Sequence, residues 1–148
     1  MSHSIAVEQI RGTLVVRFSR PESRSPLSTA VLDGLERILT EIERDDAVER
    51  LVLTGTDNVF ASGADLREIA SLTENDARSF ARRGQTLMDR IANLEVATTA
   101  AINGYCFGGA LDLALACRNR IASPNATFCH PGTGLGIITG WGGTQRLP

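Results

Sequence analysis

The sequence predicts an α/β protein in which short strands alternate with helices. Two observations carry that reading. Short runs rich in β-branched and aliphatic residues recur along the chain, as in TLVVRF, RLVLT and ATTAAI, and the stretches between them place apolar residues at helical spacing. Glycine-rich turns also follow the strands, where α/β proteins carry their functional loops. With 43% hydrophobic content over 148 residues, the chain suits one packed domain over residues 1–148 and is short for two.

Taken in order, SIAVEQI and TLVVRF flank Arg11-Gly12 and read as a β-hairpin. After the Pro21–Pro26 turn region, Ser28 stands where it can cap a helix whose Val31, Leu32, Leu35, Ile38, Leu39 and Ile42 line one face. Arg50–Thr54 is a strand, residues 55–63 a loop, and a short helix starts after Asp65. A longer helix covers about Glu74–Leu94, and Ala97–Ile102 is a buried strand leading to the Asn103-Gly104 turn. The helix from about Gly109 to Arg118 and short strands near Arg120–Ala122 and Thr127–Cys129 complete the pattern.

Composition excludes several functions. Seventeen acidic and fifteen basic residues are spread without blocks, so no nucleic-acid partner is expected. Every basic residue is arginine, which removes lysine Schiff-base chemistry and the P-loop lysine. No stretch reaches the roughly 18–20 apolar residues that span a bilayer, and MSHSIAVEQIRG has no signal-peptide core, so a cytoplasmic protein off the membrane is expected. Cys106, Cys117 and Cys129 lack CxxC spacing and read as buried reduced thiols, with no metal site. Gly132-Thr-Gly-Leu-Gly136 lacks the third glycine of a dinucleotide fingerprint and reads as a loop.

Two loops share one pattern. Phe60-Ala-Ser-Gly-Ala-Asp65 and Tyr105-Cys-Phe-Gly-Gly-Ala110 each lead from a strand toward a helix through small residues. Such residues admit a ligand close to the backbone, and N–H groups at a helix start are unpaired. Two of them converging on one oxygen would form an oxyanion hole; two tight turns are the plainer alternative.

FASGADLREI, AINGYCFGGALDLALACR and GWGGTQRLP, with the opening ββα unit and RPES in register, resemble the enoyl-CoA hydratase/isomerase, or crotonase, superfamily. The resemblance runs from near residue 5 to residue 148. It implies a ClpP/crotonase fold of repeated ββα units, a coenzyme A thioester as substrate with no bound cofactor, and backbone N–H groups of Ala64 and Gly109 as oxyanion donors. Ala61, Ser62, Gly63, Asp65, Gly108, His130, Gly132 and Trp141 are then candidate substrate contacts. Similar subunits continue beyond GGTQRLP into a C-terminal region that closes the acyl pocket, so the chain is expected to hold the N-terminal core only and to self-associate as a trimer or hexamer.

The acid/base residues depart from the pattern. The first hydratase glutamate corresponds to Asp112, a shortened carboxylate; the second falls at Gly132, and an isomerase-type acid at Gly140. Hydration employs two proton-carrying groups, so a lone Asp112 leaves hydration, isomerisation and decarboxylation open. Asp112 has no cationic partner at helical spacing, and its structural alternative is a charge favoured by the helix start. His130, two residues before Gly132, is a substitute base or an imidazole held by nearby backbone. Asp65 reads as a helix cap. Trp141 either borders the acyl pocket or packs ordinarily. Two other classes compete: a catalytically deficient acyl-CoA-binding or assembly protein of the same fold, and a hydrolase built on Cys106 and His130.

Overall fold

The structure is a computed structural model that describes residues 4–148; the first three residues of MSHSIAVEQIRG lie outside it. In chain order the elements are β1 (Ile5–Ile10), β2 (Thr13–Phe18), α1 (Thr29–Ile42), β3 (Arg50–Thr54), β4 (Val59–Ala61), α2 (Leu66–Ala70), α3 (Glu74–Ala92), β5 (Ala97–Ile102), β6 (Tyr105–Phe107), α4 (Gly109–Ala116), β7 (Asn119–Ala122), β8 (Thr127–Cys129) and α5 (Gly143–Arg146). They build two sheets, one of order β1-β2-β3-β5-β7 and one of order β4-β6-β8.

Alternation of side chains lays out the larger sheet. The β1–β2 hairpin is antiparallel and the later strands add in parallel. Register sets Leu14 beside Leu51 and Thr98, and Val16 beside Leu53 and Ala100, so one face presents a continuous buried row. That row joins Val31, Leu32, Leu35, Leu39 and Ile42 of α1 in one core. Each fully buried Leu or Val contributes about 1.5–3 kcal/mol relative to exposure, so this interface dominates the folding energy.

From β3 onward each repeat sends one strand to each sheet: β3 and β4, β5 and β6, β7 and β8. This repeat corrects the reading of residues 55–63 and 105–110 as plain loops. Val59, Phe60 and Ala61 are buried in β4, and β6 pairs with it in parallel. Val59–Ala61 and Tyr105–Phe107 are too short to display an alternation, so here only their partners reveal them, whereas the strand expected at Thr127–Cys129 is found as β8.

The helix starts differ in how they are capped. Ser28 sits at the start of α1, but its side chain makes no cap; instead the Thr29 N–H donates to Glu68 Oε2 of α2 at 2.8 Å, supplying the anionic partner that a helix start favours. Thr73 and Asp76 form a reciprocal capping box on α3. Arg83 of α3 donates to Glu36 at 2.9 Å and to Asp33, and Arg90 to Glu43 at 3.0 Å, tying α3 to α1. Cys106 and Cys117 are buried as expected, whereas Cys129 is exposed because β8 presents its side chains outward.

Candidate active site

All three strands of the smaller sheet run parallel, so their C-terminal ends emerge on one side. Beyond β4 the chain passes through Ser62, Gly63 and Ala64; the Leu27 N–H donates to the Gly63 carbonyl at 2.8 Å and Leu27 bridges Ala64. Gly63 has φ 86°, and a Cβ there would lie 2.7 Å from the Phe107 carbonyl oxygen and 2.8 Å from the Gly109 nitrogen. The two glycine loops therefore touch, and only a residue without a side chain fits between them. Beyond β6, Gly108 with φ 54° turns the chain into α4. Its N–H donates to the Cys129 carbonyl at 2.8 Å, and its own carbonyl accepts from the N–H groups of Leu111 and Asp112. Among the described residues, the N–H groups of Ala64 and Gly109 donate to no protein acceptor. Gly109 is the first residue of its helix, where an orphan donor is expected.

Asp112, in the first turn of α4, is 1% exposed. Thr139 donates its hydroxyl to Asp112 Oδ2 at 2.6 Å. His130, just past β8, brings its Nε2 to 3.3 Å from Oδ1, but the two are not aligned for a hydrogen bond, and both atoms are buried without another partner. Gly143 packs directly against Oδ1, so a Cβ there would collide with the carboxylate. Burial pushes the Asp112 carboxyl above the ordinary carboxylate range; the Thr139 hydrogen bond, the charges of His130 and Arg146 and the Trp141 backbone pull it partly back.

These groups face a cavity of about 800 Å³. Ser62, Ala64, Gly108, Gly109, Asp112, His130, Gly132 and Trp141 line it, and its walls are mostly apolar, with Leu66, Ile69 and Phe80 on one side. Of the remaining candidate contacts, Ala61 is fully buried in β4 and Gly63 forms the seam between the loops, so neither reaches the cavity. Asp65 caps α2 through the Arg67 N–H at 2.9 Å. Although burial opposes its charge, hydrogen bonds from Arg67 hold its carboxyl below the usual range.

Three expectations are settled by packing. His130 is not held by nearby backbone through Nε2, which faces Asp112 instead. Trp141 both borders the cavity and packs: it is 3% exposed, its indole lies against Gly84 and Gly109, and Phe80 stacks at 5.4 Å. Cys106 is fully buried and does not line the cavity, and burial pushes its thiol up to about 12, so the arrangement gives a hydrolase built on it no support. Gly132 lacks not only a carboxylate but the room for one, since a Cβ would lie 2.6 Å from the Ile137 carbonyl oxygen. Thr139 and Gly143 escaped sequence reasoning because nothing local marks a residue 27 positions from its partner. Ala77, Phe80 and Ala81 of α3, at helical spacing, were a detectable sign of the cavity wall.

Comparison with known proteins places the chain in a family. The family model for enoyl-CoA hydratase/isomerase matches residues 8–148. The chain belongs to the enoyl-CoA hydratase/isomerase family. It is 38% identical over 146 residues to the crotonyl-CoA hydratase of Syntrophomonas wolfei, covering 98% of this chain and 56% of that relative. It is 40% identical over 146 residues to a probable enoyl-CoA hydratase of Bacillus subtilis, covering 98% and 55%. The crystal structure of enoyl-CoA hydratase from Bacillus anthracis superimposes with a TM-score of 0.92 at 36% identity, over 99% of this chain and 57% of that one. The chain therefore has the crotonase fold and spans a little over half the length of these relatives. No helix among the described residues is long and apolar enough to cross a membrane.

Proposed function

We propose that this member of the enoyl-CoA hydratase/isomerase family processes an acyl-CoA thioester by forming its enolate. The thioester oxygen sits between the N–H groups of Ala64 and Gly109, and Asp112 moves a proton at the α-carbon. One observation supports the reading above others: a buried carboxylate, the helix-start N–H of Gly109 and the loop N–H of Ala64, both N–H groups without protein acceptors, border the same apolar cavity. Preorganised N–H donors are stronger in such surroundings than in water, and losing one typically costs about 2.7–4 kcal/mol of transition-state stabilisation. Burial gives Asp112 a higher proton affinity than a solvated carboxylate, which suits proton transfer to and from carbon. The acyl chain lies along Leu66, Ile69 and Phe80, and Trp141 limits its depth. The reading needs no resident cofactor and takes the protein as cytoplasmic. Exposed Ile121, Phe128 and Ile138 support self-association.

The test follows α-proton exchange of butyryl-CoA in deuterated buffer by NMR, comparing the protein with Asp112→Asn. Exchange should fall about 10²–10⁴-fold in the variant. Thioester binding without exchange in either protein would favour the acyl-CoA-binding alternative and refute the enzymatic one.

A further inference from the structure

Gly132 provides no carboxylate, and His130 lines the cavity two residues before it. We propose that His130 Nε2 activates the water that adds to C3 of a 2-enoyl thioester, so that this site carries out hydration with an Asp112–His130 pair. The inference rests on the enolate reading above and goes beyond it by naming the reaction and the base.

The geometry points there from three directions. His130 follows β8 and Gly109 follows β6, and these strands are paired neighbours, so the imidazole and the oxyanion donor emerge side by side. Asp112 and His130 are the only titratable side chains that line the cavity among the described residues. Their facing atoms, Oδ1 and Nε2, are both buried and lack a hydrogen-bond partner, which is costly unless a substrate or water completes them. The other ionisable groups near the carboxylate are Arg146 of α5 and Cys106 of β6, and neither lines the cavity.

The step balances without another reactant. Water gives one proton to Nε2 while its oxygen bonds to C3, and the C2=C3 π pair moves toward the thioester carbonyl to give an enolate. In that enolate the former C2=C3 pair forms C1=C2 and the carbonyl π pair rests on oxygen; protonated Asp112 then delivers its proton to the C1=C2 pair at C2 as the oxygen pair re-forms the carbonyl. The proton on Nε2 then crosses the 3.3 Å gap to Oδ1 and restores both groups. One water has been added, and the proton that reaches carbon in the next turnover is the one that water supplied.

Crotonyl-CoA hydration and butyryl-CoA α-proton exchange, measured on the protein, His130→Gln and Asp112→Asn, test this directly. His130→Gln should lose hydration about 100-fold or more and lose at least tenfold less of the exchange, because the water is activated at Nε2 while exchange runs through Asp112 and the oxyanion donors. His130→Ala should regain hydration with added imidazole, which a merely structural role would not permit. Hydration within threefold of the unmodified protein in His130→Gln would overturn the proposal. Exchange without any hydration in the unmodified protein would overturn it too and leave the enolate reading standing; absence of both would remove the two together.

Discussion

Replacing Asp112 by Asn should stabilise the fold while abolishing activity. The carboxylate is almost wholly buried, and its Oδ1 has no hydrogen bond. In its favour stand the helix start, typically about 0.3–1 kcal/mol, and the Thr139 hydrogen bond to a charged acceptor, about 1.5–3 kcal/mol. Against it stands removal of the charge from water, several kcal/mol in real proteins, and the upward displacement of its carboxyl says that this cost wins. Asn keeps the shape and the acceptor for Thr139 but carries no charge, so about 1–3 kcal/mol should be recovered. For a chain of this size that is a Tm increase of about 3–10 °C. The sign with pH follows from linkage. Between the ordinary carboxyl value of 3.8 and the raised value in the fold, the folded state holds a proton that the unfolded chain has released, so stability falls as pH rises through that window. The Asn variant has no such titration. Thermal unfolding followed by near-UV circular dichroism from pH 4 to pH 8.5 should therefore show the two proteins converging at the acid end and separating upward. A less stable Asn variant at pH 8, or a difference that ignores pH, would mean that the carboxylate serves the fold.

Two further expectations concern packing and thiols. Trp141→Ala removes a buried indole lodged against Gly84 and Gly109 and should cost about 3–5 kcal/mol, read as a lower urea midpoint at unchanged slope; a midpoint unchanged within error would show that the loop carries the ring without depending on it. Cys106 and Cys117 are buried and pushed up to about 12, while Cys129 is exposed, so Ellman's reagent at pH 8 should titrate one thiol in the native protein and three in denaturant. Two fast thiols in the native state would contradict the packing around β6 and α4.

The larger sheet and its helices were legible because burial imposes a period. Every apolar position that defined the face of α1 is buried, and the strands expected at Thr13–Phe18 and Ala97–Ile102 form, each hiding alternate residues. Recognisable glycine segments led to Ala64, Gly109 and Asp112. What stayed hidden was non-local. The strands β4 and β6 exist through pairing across more than forty residues, and Asp112 meets His130 and Thr139 only because the chain after β8 folds back over α4. The missing glutamate at Gly132 was visible as an absence, but the neighbour that faces Asp112 from two residues earlier had no local signature.

The β4-β6-β8 ladder has a metric consequence. Neighbouring strands stand about 4.8 Å apart. Two N–H groups that each reach one oxygen at about 2.9 Å, spread at a roughly tetrahedral angle, are also about 4.8 Å apart. A pair of adjacent parallel strands is thus a ruler of the right length for gripping a single oxyanion, and on the proposed reading that grip belongs to the loops after β4 and β6 while His130 follows the third rung. Because rung spacing comes from backbone hydrogen bonds, the side chain at position 130 can change without altering it, whereas position 132 is held to glycine by the Ile137 carbonyl. On the proposed reading, the chemistry performed on an enolate is an attachment to a fixed gauge.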